Sequence, residues 1–402
     1  MHVKTFGPVD RRSLEQLERC MAAGDAELGV LCADHHPGYS QPIGGAVAYE
    51  GHVSPSGVGY DIGCGNKAAL TDLHRDDLGA LGGTEAVMRE LTRRISFGVG
   101  VPAQERVDHP VLERIRTADF APQRKLAQLA ESQLGTVGSG NHYVNLMADE
   151  DDRVWVGVHF GSRGFGHRTA SGFLALAQGL PFDGKAHEGE MDSPPVLFET
   201  GSELGESYVS AMELAGEYAY AGRDVVVDKV LEILGARGGH EVHNHHNFAW
   251  HEEHGGRTYW VVRKGCTPAR PGQEGFVGGS MGDESVILEG VESPENEEAL
   301  FSTVHGAGRV MSRSRAKGNR KGTRPGVISR EMMSQRLDAY RREHGIALEV
   351  RGGDVDESPF VYRRLDDVVR AHEETGTIRV THRLLPVVVC MAGSDVFDPW
   401  KD

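Results

Sequence analysis

The chain has 402 residues, enough for one large domain or two to three ordinary ones. Apolar residues make up 39% and charged residues 25%, the balance of a folded soluble protein and not of a disordered one. Its 43 Lys and Arg against 59 Asp and Glu give a net charge of −16, which excludes a broadly basic nucleic-acid-binding surface.

In chain order, SLEQLERCMAA (13–23) predicts a helix capped by Ser13, with Leu14, Leu17 and Met21 on one side. Helices are predicted likewise for 84–95 and 121–134. RVWVGVHF (153–160) predicts a buried strand that runs into a glycine loop. The stretch 202–234 reads as mostly helical, and 257–265 and 284–290 as strands. A late helix starts near Ser329, and RLLPVVVCMAG (383–393) is the last strand. No repeat and no Pro- or Ser-rich linker divides the chain, and helices and strands lack a regular βαβ rhythm. The expectation is an irregular α+β fold in one domain, 1–402, and not a doubly wound sheet.

The five cysteines, Cys20, Cys32, Cys64, Cys266 and Cys390, are odd in number and widely spaced, with no C-x-x-C. That argues against a disulfide framework or a zinc ribbon. No signal-peptide core and no apolar run of membrane length is present, so a reducing cytoplasm and no membrane partner are expected.

Glycine supplies 53 residues, about twice its usual share. In GVGYDIGCGNKAAL (57–70), Asp61 and Cys64 stand among Gly57, Gly59, Gly63 and Gly65, where little bulk is available to pack. His142 (in GTVGSGNHYVNL), His159 (in VWVGVHFGSRGFGH) and His305 (in STVHGAGRVMSR) also adjoin glycine-rich turns. With His246 (in EVHNHHNFAWHEEH), one carboxylate, one thiol and several imidazoles suit a first-row transition metal. Taken singly, Cys64 is more often an inert buried thiol and His159 a hydrogen-bonded core histidine. Of the six histidines between 240 and 254, most are read as solvated, because one site cannot use them all.

GSGNH, GSRGFG, GGSMG and HGAGR combine small residues and free backbone N–H groups with Arg163 and Arg309, the usual devices for holding phosphoryl oxygens. A neutral imidazole beside such a loop is a competent nucleophile toward phosphorus, and His305 is the candidate. RVMSRSRAKGNRKGTR (309–324) follows it with seven Lys and Arg and no acid. Some familiar chemistry is absent. No P-loop occurs, HEVHN and HEEHG miss the H-E-x-x-H spacing by one residue, and no K-x-D-G marks a lysine-nucleophile ligase.

DHHPGYSQPIGGAVA, SPSGVGYDIGCG, GTVGSGNH, HFGSRGFGH, HHNFAW, VVRKGCTPARPGQ, GGSMG and HGAGR follow one another over nearly the whole chain. In that order they resemble the RtcB-type RNA ligases, which join RNA 3′-phosphate or 2′,3′-cyclic phosphate ends to 5′-hydroxyl ends. The resemblance implies a single domain with the active site in a central cleft. It implies that Asp61, Cys64, His142, His159 and His246 hold two Mn2+ ions, with Cys64 bridging. Manganese enters only through this resemblance, since a Cys/His/Asp set by itself is more often read as zinc. His305 would attack the α-phosphate of GTP and become guanylylated; the guanylyl group would pass to the RNA 3′-phosphate, and the 5′-hydroxyl would displace GMP. Asn141, Asn145, Arg163, Asn247, Ser280, Gly306, Gly308, Arg309 and Tyr362 would bind the nucleotide and its phosphates. The basic stretch after His305 would draw RNA by phosphate contacts.

Two departures fall on nucleotide recognition and not on the metal ligands. The family usually carries an acid where Asn145 stands, and its C-terminal lysine has no clear counterpart in the tail 391–402. The alternatives are a metal-dependent 3′-end capping enzyme or phosphoesterase, or an RNA-binding paralogue with weakened catalysis. The natural RNA, a protein activator and the oligomeric state are not legible at this level.

Overall fold

The computed structural model describes residues 1–24, 26–187, 190–318 and 324–393. The distal part of the divergent tail and residues 319–323 of the basic stretch lie outside these.

The sequence RVWVGVHF becomes the strand Arg153–Phe160, buried from Val154 onward. A strand covered on both faces reads as a continuous apolar run, and this one lies inside the larger sheet. The spatial order there is Glu274–Val277, Ser285–Gly290, Ile378–Met391, Tyr143–Ala148, Arg153–Phe160, Gly65–His74 and Gly238–His245, with Glu349–Arg351 paired to Ile378–Met391. A five-stranded sheet runs His2–Thr5, Leu28–His36, Ile43–Tyr49, Arg257–Lys264 and Asn247–His254. Only the His2–Thr5/Leu28–His36 and Glu349–Arg351/Ile378–Met391 pairs are parallel among the described strand pairs. Mainly antiparallel sheets with helices around them match the α+β expectation and not a doubly wound fold.

The long helix Glu203–Leu234 is capped by Ser202, whose side chain accepts from Gly205 N, and ends on Gly235 at φ 62°. Val226, Val227, Val230 and Leu234 of this helix join Val144, Val156 and Val158 of the larger sheet in one core. The N-terminal half of the same helix contributes Tyr208, Met212 and Tyr218 to a second core with Leu17, Val47, Phe165 and Phe173. The helix thus runs from one core into the other, and Arg223 lies where the two meet. Among the described residues no helix is long and apolar enough to cross a membrane. The five cysteines are buried and unpaired.

Three boundaries differ from the sequence reading. The first helix is Arg11–Ala23 and its cap is Asp10, whose Oδ1 accepts from Ser13 N at 2.8 Å. Ser13 is therefore inside the first turn. The stretch 121–134 splits into Ala121–Arg124 and Ala127–Gln133, because Leu126 N bonds Gln123 O in a tighter three-residue turn. The last strand begins at Ile378, five residues before Arg383, because antiparallel pairing with Ser285–Gly290 extends it.

Candidate active site

Asp61 and Cys64 lie in the loop between the short helix Pro55–Val58 and the strand Gly65–His74. Cys64 N donates to Asp61 O at 3.0 Å and closes a tight turn. Gly161, at the end of the neighbouring strand, has no room for a side chain, since a methyl there would meet the Asp61 carboxylate. His142 precedes the strand Tyr143–Ala148; its Nε2 lies 3.1 Å from Asp61 Oδ2 and 3.7 Å from Cys64 Sγ. His159 puts Nε2 3.6 Å from the same sulfur. Its Nδ1 is 2.6 Å from Asn66 Oδ1. An amide oxygen only accepts, so Nδ1 carries the hydrogen and Nε2 turns a lone pair inward.

His246 is the single residue between the strands Gly238–His245 and Asn247–His254, where the chain passes from the larger sheet to the smaller. It is buried, its N donates to Cys64 O at 2.8 Å, and its Nδ1 has no hydrogen-bond partner. Two donor sets result, Asp61–Cys64–His142 and Cys64–His159–His246, with the donor atoms of each set within 4.8 Å of one another. Cys64 belongs to both.

Burial holds the His159 and His246 imidazoles well below the usual histidine range, so both are neutral at pH 7. Burial, reinforced by Asp61, raises the Cys64 thiol far above its ordinary value. Burial also pushes the Asp61 carboxyl up, but the hydrogen bond and charge of His142, with Arg163, outweigh it and hold the group below the carboxylate range. Neutral imidazoles, an ionised carboxylate, a thiol and a buried ring nitrogen with no partner are a donor set that fits a borderline transition-metal cation.

His305 follows the strand Ser302–Val304, its ring centroid 4.9 Å from that of His246. Asp34 holds it in place. Asp34 Oδ2 lies 2.6 Å from His305 Nδ1 and accepts from His305 N at 3.0 Å and Gly306 N at 3.3 Å. Asp34 is wholly buried; burial raises its carboxyl, but the charge and hydrogen bonds of His305 overturn this and keep it ionised. With Nδ1 engaged by a carboxylate, His305 has Nε2 available for chemistry. Asp34 has no assigned role in the sequence reading, although it opens the motif DHHPGYS.

A cavity of about 260 Å³ adjoins His305 and His159, and Asn141, Asn145, Ser280, Gly306, Gly308, Arg309 and Tyr362 line it. The Asn145 side chain is buried there, with Oδ1 lacking a partner. Arg163 and Asn247 stand outside this wall: Arg163 Nη1 is 3.1 Å from His142 Nδ1, and Asn247 Oδ1 accepts from Gly265 N at 2.7 Å. GGSMG (278–282) has G-x-S-x-G spacing, but it links the antiparallel strands Glu274–Val277 and Ser285–Gly290. Ser280 is therefore not on a strand-to-helix nucleophile elbow.

Two expectations change. Of the six histidines between 240 and 254, His245, His246 and His254 are buried, His243 is half-buried, and only His240 and His251 are exposed. The strands on either side of residue 246 turn their side chains into two different cores. The basic stretch is also less available than its composition suggests. Arg309 reaches Glu357 at 3.5 Å, Arg313 pairs with Glu357 and with Asp356 at 3.4 Å, and Lys317 pairs with Asp354 at 2.5 Å.

The family model described as tRNA-splicing ligase RtcB matches residues 21–121 and 113–392. The RNA-splicing ligase RtcB of Escherichia coli is 30% identical over 397 aligned residues, covering 90% of each chain. The tRNA-splicing ligase RtcB of Thermococcus kodakarensis is 30% identical over 457, covering 94% of this chain and 90% of its own. The RNA-splicing ligase RtcB of Mycobacterium bovis is 28% identical over 437, covering 90% and 96%. Matched along nearly its entire length, with the cluster residues and His305 inside the matched region, the chain belongs to the RtcB family.

Proposed function

We propose that this protein is an RNA ligase that joins RNA 3′-phosphate or 2′,3′-cyclic phosphate ends to 5′-hydroxyl ends, using GTP and Mn2+, in RNA repair or tRNA splicing. The observation that carries the reading is the pairing of His305 with buried Asp34 at 2.6 Å, beside both the Cys64 cluster and the cavity. Family membership supports it.

Asp34 fixes the His305 ring and keeps the proton on Nδ1, so Nε2 presents its lone pair. Nε2 attacks the α-phosphorus of GTP; the Nε2–P bond forms as the bond from that phosphorus to the bridging oxygen breaks and pyrophosphate leaves. Asp34 stabilises the positive charge that the imidazole gains. The 3′-phosphate oxygen of the RNA then takes the guanylyl group from Nε2, and the 5′-hydroxyl displaces GMP. Asp61, Cys64, His142, His159 and His246 would hold two Mn2+ ions, which when bound neutralise phosphate charge and stabilise the leaving oxygens. Asn141, Ser280, Gly306, Gly308, Arg309 and Tyr362 would surround the nucleotide. Asn145 meets the base as an uncharged amide, and Arg163 and Asn247 act from outside the wall by setting His142 and the Gly265 turn. Unpaired buried cysteines suit a reducing cytoplasm.

Incubation with Mn2+, GTP and an RNA bearing a 3′-phosphate and a 5′-hydroxyl tests the reading. Joined RNA is the expected product. Capped or dephosphorylated ends without joining would show an end-modifying enzyme, and unchanged RNA would show a binding protein.

A further inference from the structure

Arg223 is one of the largest wholly buried side chains of the described residues. Among these residues no carboxylate forms an ion pair with it. A buried charge without a counter-charge is an expensive way to fill a core, so where its hydrogen bonds go is informative. Nη1 donates to Gly63 O at 2.9 Å and to Phe160 O at 2.6 Å. Nη2 lies 2.9 Å from His245 Nδ1, and Nε donates to His243 Nε2 at 2.8 Å. A guanidinium has no acceptor, so His243 Nε2 accepts; His245 Nδ1 lies between Nη2 and Gly63 O, 3.0 Å from the latter.

Three of the four partners are the immediate chain neighbours of one donor set. Gly63 precedes Cys64, Phe160 follows His159, and His245 precedes His246. These segments belong to a loop, a strand of the larger sheet and the last residue before the turn between the two sheets. Strand pairing sets Gly65 opposite both Phe160 and His245, and the Arg223 guanidinium bonds the three segments just beyond that pairing, on the side of the donors. The helix that carries Arg223 is shaped for this approach. A methyl on Gly63 would sit 3.2 Å from Gly216 Cα and 3.1 Å from Ala219 Cβ, and one on Gly222 would be 3.4 Å from the Phe160 ring. Small residues at 216, 219 and 222 let the ligand-bearing backbones come close enough for one guanidinium to span them. The Tyr220 ring, 5.1 Å from the Arg223 guanidinium carbon and 3.9 Å from the His245 ring, fixes its remaining side.

We infer that Arg223 is the positioning residue of the Cys64–His159–His246 set, tying the three segments that carry these donors into one preorganised unit for a divalent cation. It does not touch the cation or the substrate. It acts through the backbone on either side of the donors, as outer-shell groups do when they orient ligands. The inference rests on the reading of the cluster as a metal site.

Cobalt(II) is a suitable probe, because a cobalt–thiolate bond to Cys64 gives a charge-transfer band independent of ligation activity. The parent should bind Co2+ with that band. Arg223→Lys keeps the charge but not the fork, and Arg223→Gln keeps neither; both should bind Co2+ about 10–100-fold more weakly. Both should show an altered thiolate band while retaining the parent circular dichroism and cooperative unfolding. His243→Ala removes only the Nε partner and should bind like the parent. Parent-like affinity and band in Arg223→Lys would overturn the inference, since charge alone would then suffice. Loss of fold in both Arg223 variants would also overturn it, marking a general core residue. Absence of a thiolate band in the parent would overturn the metal reading itself and the inference with it.

Discussion

At the Cys64 cluster, polar atoms approach one another at 3.1–3.7 Å and a buried ring nitrogen of His246 has no hydrogen bond. A few residues away, at the rim of the cavity, Arg309 and Arg313 meet the buried acids Asp356 and Glu357, and Tyr362 donates to Glu357. Both regions are buried and polar, yet the first turns the lone pairs of its donors toward one another and the second pairs its cations with acids, leaving Asp356 Oδ1 without a partner. Lone pairs left converging mark where a ligand belongs, whereas paired opposite charges mark a rigid wall that shapes what enters.

The rim gives the largest expected effect. Glu357→Gln leaves Arg309 and Arg313 facing a neutral amide, and unfolding free energy should fall by about 3–5 kcal/mol in urea titration. A change below about 1 kcal/mol would mean that these cations are solvated and free to meet RNA, which would erase the contrast. Within the cluster, Asn66→Ala removes the oxygen that orients His159; Mn2+ affinity measured by calorimetry should drop about 10–100-fold. An unchanged affinity would show that His159 is held some other way.

The third prediction concerns the neutrality of buried imidazoles, tested at a histidine that belongs to neither region. His372 is wholly buried, stacked on Phe6 at 3.9 Å, with Nε2 accepting from Ala33 N at 3.2 Å. Burial depresses it to about 4. Below its unfolded value of about 6.5, the unfolded chain binds a proton that the folded chain refuses. Stability is therefore fully present above about pH 6.5 and falls as pH drops toward the folded value, by up to about 1.4 kcal/mol per unit for this group. His372→Gln should flatten the dependence of unfolding free energy on pH by that amount in this window. A parent slope that the variant leaves unchanged would mean that His372 titrates normally.

Much of the donor cluster was legible because Cys64, His142 and His159 each adjoin a glycine-rich turn whose backbone must come close to something. RVWVGVHF was legible because a doubly covered strand has no polar face to disguise it. What escaped depended on remote partners. Asp34 and His305 are 271 residues apart, and local patterning cannot show a pair closed by two sheets meeting. The cations of the basic stretch looked available to RNA because the acids that neutralise Arg313 lie about 43 residues later. The histidines between 240 and 254 looked mostly exposed because the strand break at His246, which turns its neighbours into different cores, has no sequence signal of its own.

The central claim is that His305 is the nucleophile at the edge of a metal-bearing cluster. Covalent labelling by GTP radiolabelled at the α-phosphate, with Mn2+ and without RNA, tests it most directly. The parent should take up label that a chelator abolishes, and His305→Asn should lose it by more than about a thousandfold. Labelling of His305→Asn at the parent level would contradict the account.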